Sequence, residues 1–134
     1  CLTGPCSTLN DLNLGSCGSQ SMWMSTSSPP SSTIGVDWIQ WDWTSTKTFN
    51  EMIIHHGQTT GRFLNGFTIQ TWDGSSWVTE TSVSNLTPAC TSSVTFNPIS
   101  AQRWRITALQ TAANGQRSNP NFREIEIIEA ILGA

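Results

Sequence analysis

Several residue types are scarce in this sequence, and each scarcity argues against a class of protein. Charged residues make up only 11% of the 134 residues, and the formal net charge is −3. Because no basic stripe is present to neutralise phosphates, we expect no nucleic-acid partner. No apolar run approaches the roughly 20 residues that a membrane-spanning helix needs. Tyrosine is absent, so the aromatic content consists of five Phe and seven Trp.

The residues that are abundant favour an extracellular β-protein. Ser and Thr together make up about a quarter of the chain, and the hydrophobic fraction is 37%. Thr suits strands and Ser suits turns, whereas a cytosolic enzyme normally carries more Lys and Glu. The length is that of one domain with a single core, so we expect residues 1–134 to form one domain. The predicted setting is secreted or at the cell surface.

The four cysteines, Cys1, Cys6, Cys17 and Cys90, form an even set that predicts two disulfides. Zinc is the competing interpretation, but no CxxC spacing occurs and the two histidines are adjacent. A lipidated Cys1 is a further alternative, but it would leave the other three cysteines unpaired. Three connectivities are possible for four cysteines, and the spacing does not choose among them.

Apolar and polar residues alternate with a period of two along most of the chain, which predicts strands. The clearest case is NGFTIQTWDGSSWVTETSV, where two alternating runs join at Asp73-Gly74 and predict a hairpin. The run FREIEIIEAIL also alternates strictly and is rich in β-branched residues, so a strand is predicted there instead of a helix. The predicted inward positions are Met52, Ile54, Val94, Phe96, Trp104 and Ile106. Short strands between turn signals predict an all-β antiparallel sandwich, and the Ser/Gly/Pro-rich residues 1–33 predict loops pinned by disulfides.

The segment WIQWDW places three indoles within six residues. Successive side chains of a strand point to opposite faces, so Trp41 and Trp43 share a face with Ile39, and Trp38 lies on the other face. A sandwich buries one face of each sheet. We therefore predict that Trp41 and Trp43 belong to the core, and that Trp38 is exposed or lies beneath a loop.

An ordered set of motifs resembles a known family. WIQWDW, KTFNEMII, LNGFTIQTWDGSSWVTET, SVTFNPISAQRWRIT and NFREIEIIE are similar to the discoidin or coagulation factor 5/8 type C domain. That family overlaps carbohydrate-binding module family 32 and the galactose-binding-like domains, and the similarity runs from about Asn10 to Glu129. The resemblance implies a jelly-roll-like β-sandwich in which the WIQWD strand is part of the core.

The resemblance also implies a lectin-like module that binds a glycan, of galactose type in many members, through loops at one end of the sandwich. The segments HHGQTTGR and NGQRSNPN resemble the family's binding loops, and Arg, Asn and imidazole groups orient sugar hydroxyls well. The ligand-binding residues implied in this way are Trp23, His55, His56, Gln58, Arg62, Asn114, Arg117 and Asn119. Trp23 is the candidate stacking platform, with Phe63 as the second candidate. The alternatives are a solvated strand end for the two histidines, an internal ion pair for Arg117 and a structural position for Trp23.

A structural calcium ion is a further expectation from the resemblance. The segment NDLNLGS offers the oxygen ligands Asn10, Asp11, Asn13 and Ser16, and Glu124 would close the site. Oxygen ligands on a turn suit Ca²⁺. A plain Asx-turn explains the same segment nearly as well.

No enzyme signature is found, and the rival interpretation of the sequence is structural. The carboxylates form no recognisable acid/base pair, and neither a GxSxG motif nor a phosphate-binding loop occurs. The competing hypothesis is a self-associating subunit of an extracellular filament, sheath or adhesin, with the apolar segment AILGA at its contacts. Membership in a larger multidomain protein is also consistent with the sequence. The sequon at Asn85 would accept an N-glycan in a eukaryotic source.

The cysteine pattern gives the first testable prediction. The intact mass of freshly isolated protein should lie about four daltons below the fully reduced mass, because two disulfides remove four hydrogens. Alkylation without reductant, followed by mass spectrometry, measures this. Four alkylatable thiols in the native protein would contradict the extracellular interpretation.

Overall fold

All the regular structure in the described residues is β-strand, as the period-two pattern predicts. The structure is a computed structural model that describes residues 23–24, 38–57, 63–111 and 121–130. The strands are β1 (Trp23–Met24), β2 (Ile39–His56), β3 (Leu64–Trp72), β4 (Trp77–Val83), β5 (Thr91–Thr111) and β6 (Asn121–Glu129). Within these ranges, no helix has the length and hydropathy to cross a membrane.

The strands pair antiparallel in the order β1-β6-β2-β5-β3-β4. β2 and β5 are long continuous strands of 18 and 21 residues. Their register shifts between the Asp42–Arg103 pair and the Lys47–Ala101 pair. On one side of this shift β2 lies between β5 and β6, and on the other side β5 lies between β2 and β3. Both long strands therefore pass from one layer to the other, which closes the sheet into the predicted sandwich.

One core lies between the two layers. The indole of Trp104, in the layer that contains β3, contacts Phe49 and Phe96 in the layer that contains β6, at ring-centroid distances of 5.2 and 6.1 Å. The inward positions predicted from the alternation belong to this core or pack against it. The fully buried members include Met52, Ile54, Leu64, Ile69, Trp104 and Ile106. Burying this apolar surface is the main source of stability for a domain of this size.

The predicted hairpin joins β3 to β4, but its loop has the four residues Asp73–Ser76 instead of a two-residue turn. The carboxylate of Asp73 accepts hydrogen bonds from the backbone N–H groups of Ser75 and Ser76, both at 2.8 Å. Gly74 has a φ of 108°, which an L side chain rarely adopts. The Asp-Gly pair is therefore needed for two separate reasons, an acceptor that closes the turn and a residue without a Cβ.

The three indoles of WIQWDW lie on the predicted faces of the strand, but Trp41 and Trp43 are less deeply buried than predicted. Ile39 is buried, and Trp41 and Trp43 pack against the core from the same face. Both indoles are half-buried, because they lie at the margin of the core where β2 approaches its register shift. Trp38, on the opposite face, is also half-buried and is not part of the core cluster. The indole of Trp104, by contrast, is fully buried.

The packing of Trp104 gives a stability prediction. Trp104→Ala should lower the free energy of unfolding by about 3–5 kcal/mol, because it removes a large buried ring and leaves a cavity. Trp38→Ala is the matched control and should cost clearly less, since that indole lies outside the core cluster. Urea denaturation of the two variants measures the difference. Equal losses would contradict the assignment of the two faces.

Candidate functional site

The two loops that the sequence assigns to ligand binding begin and end side by side. The first leaves β2 at His56 and enters β3 at Leu64, and the second leaves β5 at Thr111 and enters β6 at Asn121. His56 pairs with Phe122, and Leu64 pairs with Thr111. Both loops are therefore anchored at one end of the sandwich, which we call the His56 end.

The backbone of Trp23 lies at the same end. Trp23 pairs with Phe122, which is itself the partner of His56. The prediction that residues 1–33 are all loop is wrong at this point, because Trp23 and Met24 form the short strand β1. The described anchors of all three segments predicted to bind a ligand thus lie at the His56 end.

His56 itself faces the interior. Its side chain is fully buried, its Nε2 lies 2.8 Å from the Ser92 hydroxyl, and its ring stacks on Phe63 at a centroid distance of 4.1 Å. Among the described residues, its Nδ1 has no hydrogen-bond partner. Burial, followed by the charges of Arg123 and His55, lowers the pKa of His56 to about 4. The imidazole is therefore neutral at physiological pH, and we do not include it among the proposed ligand contacts.

Phe63 is also fully buried. A stacking platform must expose one ring face, so the prediction of Phe63 as the second platform is wrong. The ring instead covers the imidazole of His56.

A buried arginine holds the His56 end together. The guanidinium of Arg123, only 6% exposed, donates from Nε to the carbonyl oxygen of His56 at 2.7 Å and from Nη2 to that of Cys90 at 3.2 Å. The backbone N–H of His56 donates to the same Cys90 oxygen at 2.8 Å. Arg123 thus connects β6 to the end of β2 and to the residue before β5. Cys90 is disulfide-bonded, with a partner outside the described residues.

His55 lies on the other face of β2. Its Nε2 is 2.8 Å from Oε2 of Glu126, and its Nδ1 is 3.5 Å from the Thr91 hydroxyl. The side chain of Glu126 remains 36% exposed. The alternative that the two histidines form a solvated strand end is therefore wrong, because both are buried and hydrogen-bonded. His55 lies closer to the surface, next to a partly exposed carboxylate.

Glu124 is the one predicted calcium ligand in the described residues. It is buried at the start of β6 and pairs across the sheet with His55. The described ranges contain no group of three or more His, Cys, Asp or Glu residues that could hold a metal ion. The other predicted ligands, Asn10, Asp11, Asn13 and Ser16, lie outside these ranges, so the calcium site stays a prediction.

Of the remaining predicted residues, one lies in the described ranges and the others lie outside them. Asn85 is exposed between β4 and β5 with a φ of 56°, so its sequon is on the surface. Its glycosylation stays a prediction. The residues that lie outside the described ranges are Cys1, Cys6, Cys17, Gln58, Arg62, Asn114, Arg117 and Asn119.

The sequence reasoning missed the role of Arg123, although a signal for it exists. The alternation of NFREIEIIE places Arg123 on the face of Ile125 and Ile127, both of which belong to the core or pack on it. A charged residue on an apolar face of a strand predicts a buried group that needs hydrogen-bond acceptors. Carbonyl groups at strand ends supply them here.

A comparison with protein families identifies the chain. Residues 9–106 match a factor 5/8 type C family model, described as the NedA-like, galactose-binding domain. The chain belongs to this family. The family resemblance predicted from the motifs is thereby confirmed. No curated protein matches the chain.

Solved structures of this family's fold superpose on most of the chain. The family 32 carbohydrate-binding module of NanJ from C. perfringens, in complex with galactose, has a TM-score of 0.68 and 16% identity, and the alignment covers 92% of this chain and 83% of that one. The family 32 module of AlyQ, in complex with 4,5-unsaturated mannuronic acid, has a TM-score of 0.65, 22% identity and coverages of 92% and 85%. A pectin-binding module has a TM-score of 0.61, 17% identity and coverages of 96% and 82%. These similarities confirm the predicted galactose-binding-domain-like sandwich.

The lowered pKa of His56 gives a prediction of pH dependence. Between its folded pKa of about 4 and the ordinary value of 6.5, the unfolded state binds more protons than the folded state. The stability contributed by the neutral imidazole should be fully present above pH 6.5 and be lost as the pH falls toward 4, a difference on the order of 3 kcal/mol.

His56→Gln removes this titration and serves as the comparison. Urea unfolding of both proteins at several pH values between 4 and 7 measures the two slopes. The wild type should lose stability more steeply than His56→Gln as the pH falls. Parallel curves would contradict the burial of a neutral imidazole.

Proposed function

We propose that the protein is a lectin-like carbohydrate-binding module that holds a glycan of galactose type in the loops of the His56 end. The observation that carries this proposal is the pairing of His56 with Phe122 and of Leu64 with Thr111, which brings the anchors of both loops together. The first loop contains Gln58 and Arg62, and the second contains Asn114, Arg117 and Asn119.

The residue types in these loops suit sugar hydroxyls, each of which is both a donor and an acceptor. Arg supplies a planar fork of donors, and Asn and Gln supply one donor group and one acceptor. His55 and Glu126 add a hydrogen-bonded pair near the surface. Trp23 is the proposed aromatic platform, because its backbone lies beside the same anchors.

The buried network at the anchors of the loops supports this role. Arg123 fixes the carbonyl groups of His56 and Cys90, and the stack of His56 on Phe63 fills the space where the first loop leaves and returns. Ordered anchors reduce the conformational entropy that the loops lose when a ligand binds. Galactose in the NanJ module supports the same ligand class.

We infer a binding role without catalysis, in an extracellular setting. The named neighbours are carbohydrate-binding modules, and one of them, AlyQ, also has a structure that contains an alginate lyase domain. A calcium ion held by Asp11, Asn13, Ser16 and Glu124 would have a structural role. The predicted disulfides and the surface sequon at Asn85 fit the same setting.

A glycan array, run with calcium and repeated with a chelator, tests the function. Arg117→Ala should weaken binding to the strongest array ligand by about 10-fold or more, because a lost charged hydrogen bond costs roughly 1.5–3 kcal/mol. Arg105→Ala is the matched control. It removes one arginine at a site on the sheet, where the guanidinium stacks on Trp77 at 4.1 Å, and it should leave binding unchanged.

Two results would contradict the proposal. One is full affinity for the array ligand in both of two single variants, Arg117→Ala and a second loop variant, Arg62→Ala. The other is a protein that binds no glycan and instead forms polymers that free sugar does not dissolve. The second result would support the structural-subunit hypothesis.

A further inference from the structure

A groove lies at the opposite end of the sandwich from the His56 end. β3 begins at the His56 end with Leu64 and finishes at Trp72, so the β3–β4 hairpin loop marks the far end. β2 and β5 pass between the layers beside this loop. The space between them is about 590 Å³, which lies within the usual size of small-ligand sites. We call it the far-end groove, and its lining includes Trp43, Thr46, Trp72, Glu80, Gln102 and Arg103.

Two indoles in the groove are held in place by neighbouring rings. Trp43 packs on Phe49 at 4.8 Å and meets the edge of Trp104 at 6.4 Å. Trp72 packs edge-on against Trp77 at 5.5 Å. Both indoles are half-buried, so each keeps exposed surface beside the groove. An aromatic ring fixed in this way can cover the apolar face of a sugar at little entropic cost.

Arg103 supplies directed donors beside these rings. It forms an ion pair with Asp42, its Nε 2.9 Å from Oδ1, and its Cζ lies 6.0 Å from the centroid of Trp72. Gln40 donates to both oxygens of the same carboxylate, at 3.0 and 3.2 Å. Within the described residues, no hydrogen bond involves the two Nη groups of Arg103. The ion pair with Asp42 therefore positions the guanidinium, while its Nη donors are available to a ligand.

Acceptors face these donors across the groove. Glu80 accepts a hydrogen bond from the Thr71 hydroxyl at 2.6 Å, which fixes its carboxylate on the inner side of the hairpin. Thr46 and Gln102 add a hydroxyl and an amide. The groove thus combines donors, acceptors and aromatic surface, which is the combination that sugar hydroxyls and ring faces require.

The charges of the groove discriminate between classes of saccharide. Three carboxylates line it, from Asp42, Asp73 and Glu80, against the one guanidinium of Arg103. The backbone hydrogen bonds from Ser75 and Ser76 lower the pKa of Asp73, so this group is ionised at neutral pH. A uronate would meet this excess of negative charge, whereas an uncharged hexose would not.

We propose that the far-end groove is a second saccharide site, selective for uncharged hexose units over uronates. It extends the proposed carbohydrate binding to a surface that shares no residue with the loops of the His56 end. One copy of the protein would then bind two sugar units, and this bivalence would raise its affinity for extended or clustered glycans.

The test uses the side-chain N–H signals of the tryptophans in ¹⁵N-labelled protein, assigned from single Trp→Phe variants. D-galactose, lactose and cellobiose are the uncharged probes, and D-galacturonate is the matched charged probe because it differs from galactose only at C6. The Trp43 signal should shift saturably with at least one uncharged probe. The affinity of the groove for galactose should exceed its affinity for galacturonate by about 10-fold or more. A difference of this size corresponds to the loss of one charge-assisted contact.

Variants separate this site from the one at the His56 end. Arg103→Gln and Trp72→Ala should each abolish the shift of the Trp43 signal, whereas Arg117→Ala should leave it intact. Trp38→Ala is the matched control, since it removes an indole that does not line the groove, and it should leave the shift of the Trp43 signal intact. Arg103→Gln changes a half-exposed side chain, so it keeps the test valid if Trp72→Ala fails to fold.

The outcomes distinguish the two proposals. Loss of the Trp43 shift in Arg103→Gln with array binding retained supports two independent sites. A Trp43 shift in a protein that shows no loop-dependent binding supports the groove and contradicts the proposed function. No shift with any uncharged probe, or a stronger response to galacturonate, overturns the groove proposal.

Discussion

The candidate site depends on one buried interaction, the contact of the Arg123 guanidinium with the carbonyl groups of His56 and Cys90. A buried charge is costly unless hydrogen bonds satisfy it, and here two carbonyl groups at strand ends accept from the guanidinium. The same contact fixes the place where β2 ends and where the chain enters β5. The charge of Arg123 also adds to burial, the larger cause, in lowering the pKa of His56.

The two long strands make the rest of the architecture possible. Because β2 and β5 cross between the layers at one end, the chain can place its loops at the other end. The crossing leaves Trp41 and Trp43 at the margin of the core instead of deep within it. It also opens the far-end groove beside the β3–β4 hairpin. The two ends of the sandwich thus differ. The anchors of the two candidate binding loops lie at one end, and the far-end groove lies at the other.

The parts of the fold that depend on local pattern could be predicted from the sequence. The alternation in QRWRIT predicted the burial of Trp104 and Ile106, and Asp73-Gly74 predicted the hairpin. The continuity of β2 and β5 could not be predicted, because a bend within a strand depends on the partner strand opposite it. For the same reason the burial of His56 and Phe63 was missed. Their environment comes from β5 and β6, which are distant in sequence.

The central proposal is that a glycan is held by the loops of the His56 end. The most direct measurement is photo-crosslinking with a galactoside that carries a diazirine, followed by peptide mass spectrometry. The labelled residues should lie within 57–62 or 112–120, and free galactose should suppress this labelling. Labelling that spares both loops, with the protein folded and the probe competed by galactose, would contradict the claim.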